Sequence, residues 1–301
     1  MVSESVVKAM MEISALSFVL PVAFVILWRM WRRKSIVPSL TGVLVFITFG
    51  IILKSVPNMF FLAIDSPVSR FINGNIWVLA IFAGLMAGIF EETGRFVAFK
   101  IFLNKHDYRE CAVAYGLGHG GVECMIVLGF SMIQNFAYAQ LINAGQMADV
   151  YKDLPDENAI NVFKELEEAI INLSLQDCIW AGVERISAIV LQVSLSVLVF
   201  QAAKVEKKKY FLAIAIVLHT FIDIFAVLYQ QGSLSIAVTE IIIMVYAVIV
   251  AIFAYKIYKQ LPHNENGSTT GKKSWAYASM KYPSKDTGNN TSIQDNKDGQ
   301  E

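Results

Sequence analysis

Runs of apolar residues dominate this chain, and they have the length of membrane spans. A hydrocarbon core about 30 Å thick is crossed by about 20 apolar residues in α-helix. Seven stretches qualify, at roughly 13–31, 38–63, 76–103, 112–142, 177–201, 210–230 and 236–258. Several exceed the minimum, which predicts tilt or projection beyond the lipid. Between the fourth and fifth runs the pattern changes: Ile160, Val162, Phe163, Leu166, Ile170 and Ile171 recur among acidic residues over 156–173, the spacing of an amphipathic helix on a surface. Such a helix can cap the bundle or gate a substrate. From 261 to 301 Asn, Ser, Lys, Asp and Gly replace the branched aliphatics, which predicts a disordered polar tail. The expected fold is therefore all-α: a polytopic bundle of about seven transmembrane helices over 1–260, with an outer amphipathic segment at 146–175 and a cytoplasmic tail at 261–301.

Composition supports this pattern. The chain is 55% hydrophobic and 17% charged, with mean hydropathy +0.52, whereas soluble domains carry about 25% charge. An integral membrane protein follows, with the bilayer as its first partner. The net charge is zero, so no nucleic-acid partner is indicated. Cys111, Cys124 and Cys178 have no C-x-x-C spacing and read as small buried apolar residues. The first apolar run is followed by its basic cluster, Arg29, Arg32, Arg33 and Lys34. A secretory signal has the opposite order, so this run reads as a retained span.

Charge in the connections sets an orientation. Basic residues gather after the first run, in the third connection (Lys105, Arg109), in the fifth (Lys204, Lys207, Lys208, Lys209) and at the end of the last run (Lys256, Lys259). The intervening connections carry little positive charge. The positive-inside rule then predicts the N-terminus outside and the C-terminus in the cytoplasm.

Several ionisable residues nevertheless fall inside the apolar runs. The third run contains "EETGR", with Glu91, Glu92 and Arg95; the fourth contains "YGLGHGGVE", with Tyr115, His119 and Glu123; the sixth contains "HTFID", with His219 and Asp223. Within each set the residues are three or four apart and share a helix face. With a rise of about 1.5 Å per residue, the glutamates lie about 17–18 Å from the cytoplasmic end of their helix, His119 and Glu123 at about 11 and 17 Å, and His219 and Asp223 at about 14 and 20 Å. All three sets fall in one layer near mid-membrane. Asp177, Glu184, Arg185 and Glu240 count out nearer the outer side. Four glycines surround His119, and small residues there permit close helix approach or local unwinding at a water-filled cavity.

Three roles can account for such a layer. An ion-pair cluster pinning helices is one, although buried pairs seldom give net stability and one arginine cannot neutralise so many carboxylates. A proton- or ion-coupled transporter is another, weakened by the absence of repeat symmetry. The third is hydrolysis, in which a glutamate deprotonates water and an imidazole or carboxyl group donates to the oxyanion. His and Glu are also ordinary ligands for a divalent metal such as zinc. No H-E-x-x-H or G-x-S-x-G is present, so the common zincin and serine hydrolase templates do not apply.

The ordered motifs "EETGR", "GHGGVE" and "HTFID" on three separate spans resemble the YhfC family of intramembrane proteases. They are more distantly similar to the PrsW proteases and to the CAAX prenyl protease and bacteriocin-processing superfamily. Glu91, Glu92 and Arg95 match the Glu-Glu-basic motif with PrsW-type spacing. Tyr115 before His119 matches the aromatic-to-His motif, and His219 before Asp223 the third. The resemblance implies an endopeptidase that cleaves a membrane protein or peptide in or near the bilayer. By it, Glu91 or Glu92 with His119 would activate water, His219 with Asp223 would stabilise the oxyanion, and Arg95 would hold the glutamates ionised and oriented. Glu123 would serve as a metal ligand or as a partner of His119. The cofactor implied is none or one divalent metal, held in the latter case by His119, His219 and Glu123. Lacking a compact metal signature, the sequence leans toward the metal-free, glutamic form.

Overall fold

The computed structural model describes residues 1–262; all but the first two residues of the expected tail lie outside them. Among the described residues there is no strand, and seven helices are long and apolar enough to cross a membrane. They are α1 (Glu4–Arg32), α2 (Val37–Ala63), α3 (Ile76–Phe102), α4 (Glu110–Asn143), α5 (Leu175–Lys204), α6 (Tyr210–Gln230) and α7 (Ile236–Gln260). Shorter helices at Pro67–Asn73, Met147–Lys152 and Glu157–Ile171 lie in the connections.

The seven helices coincide with the seven apolar runs, and where they differ by more than one residue they are longer. The largest difference is in α1, which begins at Glu4 rather than near residue 13. Its first turns are amphipathic. Lys8 and Glu12 point outward, while Val2, Val6, Ala9 and Met10 are buried with Leu128, Met132 and Ala139 of α4. A hydropathy run registers lipid contact and misses turns that bury only one face.

Contacts at the helix ends define two faces. On one, the Arg32 guanidinium at the end of α1 donates to Glu110 at 2.6 Å, Lys204 at the end of α5 to Asp107 at 2.7 Å, and the Arg109 N–H to the Pro262 carbonyl at 3.3 Å. On the other, the Val2 N–H donates to Asn143 at 2.8 Å. The helix Glu157–Ile171 is capped by Asp156, whose carboxylate accepts from Ala159 N–H at 2.8 Å. Its buried Ile170 joins Val2, Val6 and Met147, so the amphipathic segment packs over the end of the bundle that carries the N-terminus.

Contacts on most of its sides make α5 the central helix. It packs against α1, α3, α4, α6 and α7, and Leu195, Leu198, Val199 and Phe200 are fully buried along it. Around this axis, glycines bring neighbouring backbones together. Gly84 and Gly88 lie one turn apart on α3. A Cβ added at Gly84 would stand 2.7 Å from the Thr220 carbonyl oxygen of α6, and one at Gly88 would stand 2.8 Å from that of Ile216. The Thr220 hydroxyl donates to the Gly84 carbonyl at 3.2 Å. This is the small-residue crossing by which membrane helices associate without a hydrophobic driving force.

The glycines around His119 work in the same way. Helix geometry is regular across Glu110–Cys124, so the stretch is not unwound. Gly118 lies against the Ser39 carbonyl of α2, and Gly116 against Val193 Cα of α5. Wide π-helical turns follow in α4 at Met125–Phe130 and occur in α2 at Phe46–Leu53, a distortion frequent beside functional sites.

Replacing Gly88 by Leu should destabilise the protein by at least about 1–3 kcal/mol through overpacking against α6. Gly182→Ala, at a position with open space around it, should leave stability unchanged or slightly raised. Thermal unfolding in detergent compares the two.

Candidate active site

Four helices bring polar groups to one layer, and a fifth connects them. Glu91, Glu92 and Arg95 come from α3, His119 and Glu123 from α4, His219 and Asp223 from α6, Gln192 and Arg185 from α5, and Lys54 from α2. Glu91, Glu92, Arg95, Tyr115, His119 and His219 are buried; Glu123 and Asp223 are partly exposed.

Two adjacent branches share His219. In the first, His119 Nε2 lies 3.2 Å from Glu91 Oε2, and His219 Nε2 lies 3.8 Å from that same oxygen. Lys54 Nζ donates to the other Glu91 oxygen at 3.1 Å. In the second, His219 Nδ1 lies 2.7 Å from Glu92 Oε1, and Arg95 Nη1 is 3.2 Å from Glu92 Oε2. Asp223 Oδ2 is 3.7 Å from His219 Nε2. The sets that spacing placed on separate helix faces are thus in contact.

Residues that the sequence reading omitted or placed outside the layer complete the network. Arg95 donates to both the side-chain oxygen and the backbone carbonyl of Gln192, whose Nε2 donates to Glu123 Oε2 at 2.7 Å. Oxygen toward a guanidinium and NH2 toward a carboxylate is the one orientation of this amide that satisfies both neighbours. Arg185 Nη1 donates to Glu123 Oε1 at 3.3 Å and is paired with Glu184. Arg185 and Glu184 therefore join the layer through Glu123, although counting along the helix put them outside it; the reach of the arginine side chain closes the gap. Lys54 and Arg185 also correct the charge inventory, because three cations, not one, face the carboxylates. The signals available in the sequence were a lone lysine in the second apolar run and an Arg–Gln pair two turns apart in the fifth.

The aromatic groups close one side. Tyr115 is fully buried, its ring 5.9 Å from that of His119 and 4.7 Å from Phe99, which in turn lies 5.2 Å from Phe200. Phe46 of α2 meets His119 edge-on at 5.1 Å. His119 Nδ1 is buried and has no hydrogen-bond partner among the described residues.

One donor atom from each of Glu91, His119 and Glu123 lies within 4.8 Å of the others. Two carboxylates and an imidazole are ordinary zinc donors, so these residues fit a divalent cation. The set differs from the His119, His219, Glu123 trio implied by resemblance: Glu91 takes the place of His219, whose Nδ1 is engaged by Glu92.

Seven apolar helices around a layer of Glu, His and Arg define a polytopic integral membrane protein with a buried polar centre. The family model for the YhfC intramembrane metalloprotease matches residues 16–262, and the chain belongs to that family. It is 31% identical over 260 residues to the uncharacterized membrane protein YhfC of Bacillus subtilis (strain 168), covering 86% of this chain and 98% of that protein. No solved structure matches it. Membership supports a membrane protease in general, with the bilayer as its medium and a protein or peptide as its substrate.

Substituting Gln192 by Met leaves both Arg95 and Glu123 short of a partner. Stranding such buried groups should cost about 1–3 kcal/mol. Gln201→Met should cost less, since the Gln201 side-chain oxygen has no partner to lose. Melting temperatures of the two variants in detergent test the difference.

Proposed function

We propose that the protein is an intramembrane endopeptidase of a bacterial cell membrane, cleaving peptide bonds with a water activated between Glu91 and His119. The observation that carries this reading is the convergence of two imidazole Nε2 atoms, from His119 and His219, on one oxygen of Glu91. A carboxylate so held can accept a proton from water and pass it on, which is general acid–base chemistry. Lys54 fixes the opposite oxygen of the same carboxylate, so the oxygen between the histidines is the reactive one.

Glu92 acts on orientation. It receives His219 on one oxygen and Arg95 on the other, which turns His219 Nε2 toward Glu91 and Asp223. A protonated His219 donates from Nε2 to the oxyanion formed at the scissile carbonyl and can return a proton to the leaving amine. Arg95 and Gln192 hold Glu92 and Glu123 in register. Fully buried and packed against Phe99, Tyr115 keeps solvent from the back of His119.

The family description and the clustered donor atoms favour a metal-dependent form over the metal-free one. Glu91, His119 and Glu123 would hold the ion, which as a Lewis acid would acidify a bound water and polarise the carbonyl.

Glu91→Gln, Glu92→Gln, His119→Ala and His219→Ala should insert and fold yet lose cleavage by at least about 10²-fold. Comparing the membrane and secreted proteomes of cells carrying native or Glu91→Gln protein should reveal the substrate as the species that accumulates uncut. Elemental analysis separates the two hydrolytic forms: near-stoichiometric zinc is expected in native protein and in His219→Ala, and its loss in His119→Ala and Glu123→Gln. Cleavage by metal-free native protein in the presence of a chelator would overturn the metal-dependent form.

A further inference from the structure

The polar groups of the centre are not equally shielded, and the difference has a direction. Toward the face where α1, α3, α5 and α7 end, the centre is sealed. Arg95, Glu92 and Tyr115 have no exposed surface, and beneath them Phe99, Phe200 and Leu103 are also fully buried. Toward the face that carries the N-terminus the side chains open progressively. Glu123 is 16% exposed, Glu184 17%, Lys54 24% and Asp223 31%. These four come from α4, α5, α2 and α6, so the opening is a property of the bundle and not of one helix.

All four lie inside membrane-spanning segments. Asp223 is about 10 Å below the end of α6 at Gln230, and Lys54 about 13 Å below the end of α2 at Ala63. Charged side chains at such depth are costly against hydrocarbon, and they face the bundle interior or a water-filled cavity. Graded exposure of charged groups on four helices therefore marks water and not lipid. Arg185 and Lys54, already tied to Glu123 and Glu91, stand where that water would meet the centre.

We propose that the centre is the bottom of a well open to the face of the membrane that carries the N-terminus and closed to the other, so that water and the scissile peptide enter from the N-terminal side. With the orientation expected from the basic connections, that side is extracytoplasmic. The substrate class is then the outward-facing, membrane-proximal segment of an anchored or exported polypeptide. This assignment of substrate side rests on the proteolytic reading above; the well itself does not.

The test uses the full chain with Asp223→Cys or Lys54→Cys. The native cysteines, all buried, stay in place, and unsubstituted protein serves as the blank. Intact cells and inverted vesicles are treated with a membrane-impermeant maleimide, a tag at the N-terminus reporting which face is accessible. Both cysteines should be labelled from the N-terminal face and escape labelling from the other, while Phe200→Cys should escape from both. Labelling from the opposite face, or from neither face, overturns the well. A second arm displays one cleavable peptide from a membrane anchor on either face, and native protein should cut it on the N-terminal face alone. Cutting on the other face overturns the proposal even if the cysteine variants fail to fold. Labelling as expected with no cutting on either face upholds the well and counts against the proteolytic reading instead.

Discussion

A carboxylate at the depth of hydrocarbon is tolerable only when a cation, a hydrogen-bond donor or water meets it, and the rest of this structure is arranged around that requirement. Glu91 and Glu92 are the most deeply placed carboxylates of the centre. Each has its two oxygens divided between a histidine and a basic residue: Glu91 between His119 and Lys54, Glu92 between His219 and Arg95. The arrangement leaves neither acid alone and sets a histidine against each. A pure ion-pair cluster would need only the cations. The histidines, and the partial opening to one side, are what a clamp between helices has no use for.

The close helix crossings follow from the same need. Side-chain contacts of about 3 Å join α3 to α4 and to α6, and the contact with α6 is accompanied by a close backbone crossing. Gly84 and Gly88 permit this for α3 on α6, and Gly118 for α4 on α2. In a soluble protein, water would drive such association; here packing and a few hydrogen bonds, such as Thr220 to Gly84 and Ser39 to Ala114, must suffice. Gln192 on the central helix then ties the two carboxylate systems together.

Much of the centre was legible beforehand, for a definite reason. Glu91, Glu92, Arg95, His119, His219 and Asp223 stand out because each is charged or ionisable within an apolar run, and the 1.5 Å helical rise converts their positions into depths. Lys54 carried the same kind of signal and was passed over, while Arg185 was counted outside the layer because depth measured along a helix axis ignores several ångströms of flexible side chain. Gln192 carried almost none. An uncharged amide in a helix that already contains serines has no periodicity to reveal which way it points, and its role exists only through Arg95 and Glu123 on two other helices.

Taken alone, the sequence determined the number of spans, their all-α character and the common depth of the three ionisable sets, since these depend on hydropathy, length and helical rise, all local quantities. It left open whether the glycines beside His119 unwind the helix or pack it, grouped His219 rather than Glu91 with His119 and Glu123, and counted one cation where three face the layer. Those were decided by the tertiary structure, because each depends on which helix faces which, at what distance and with what side-chain reach. None of these quantities is written along a single chain segment.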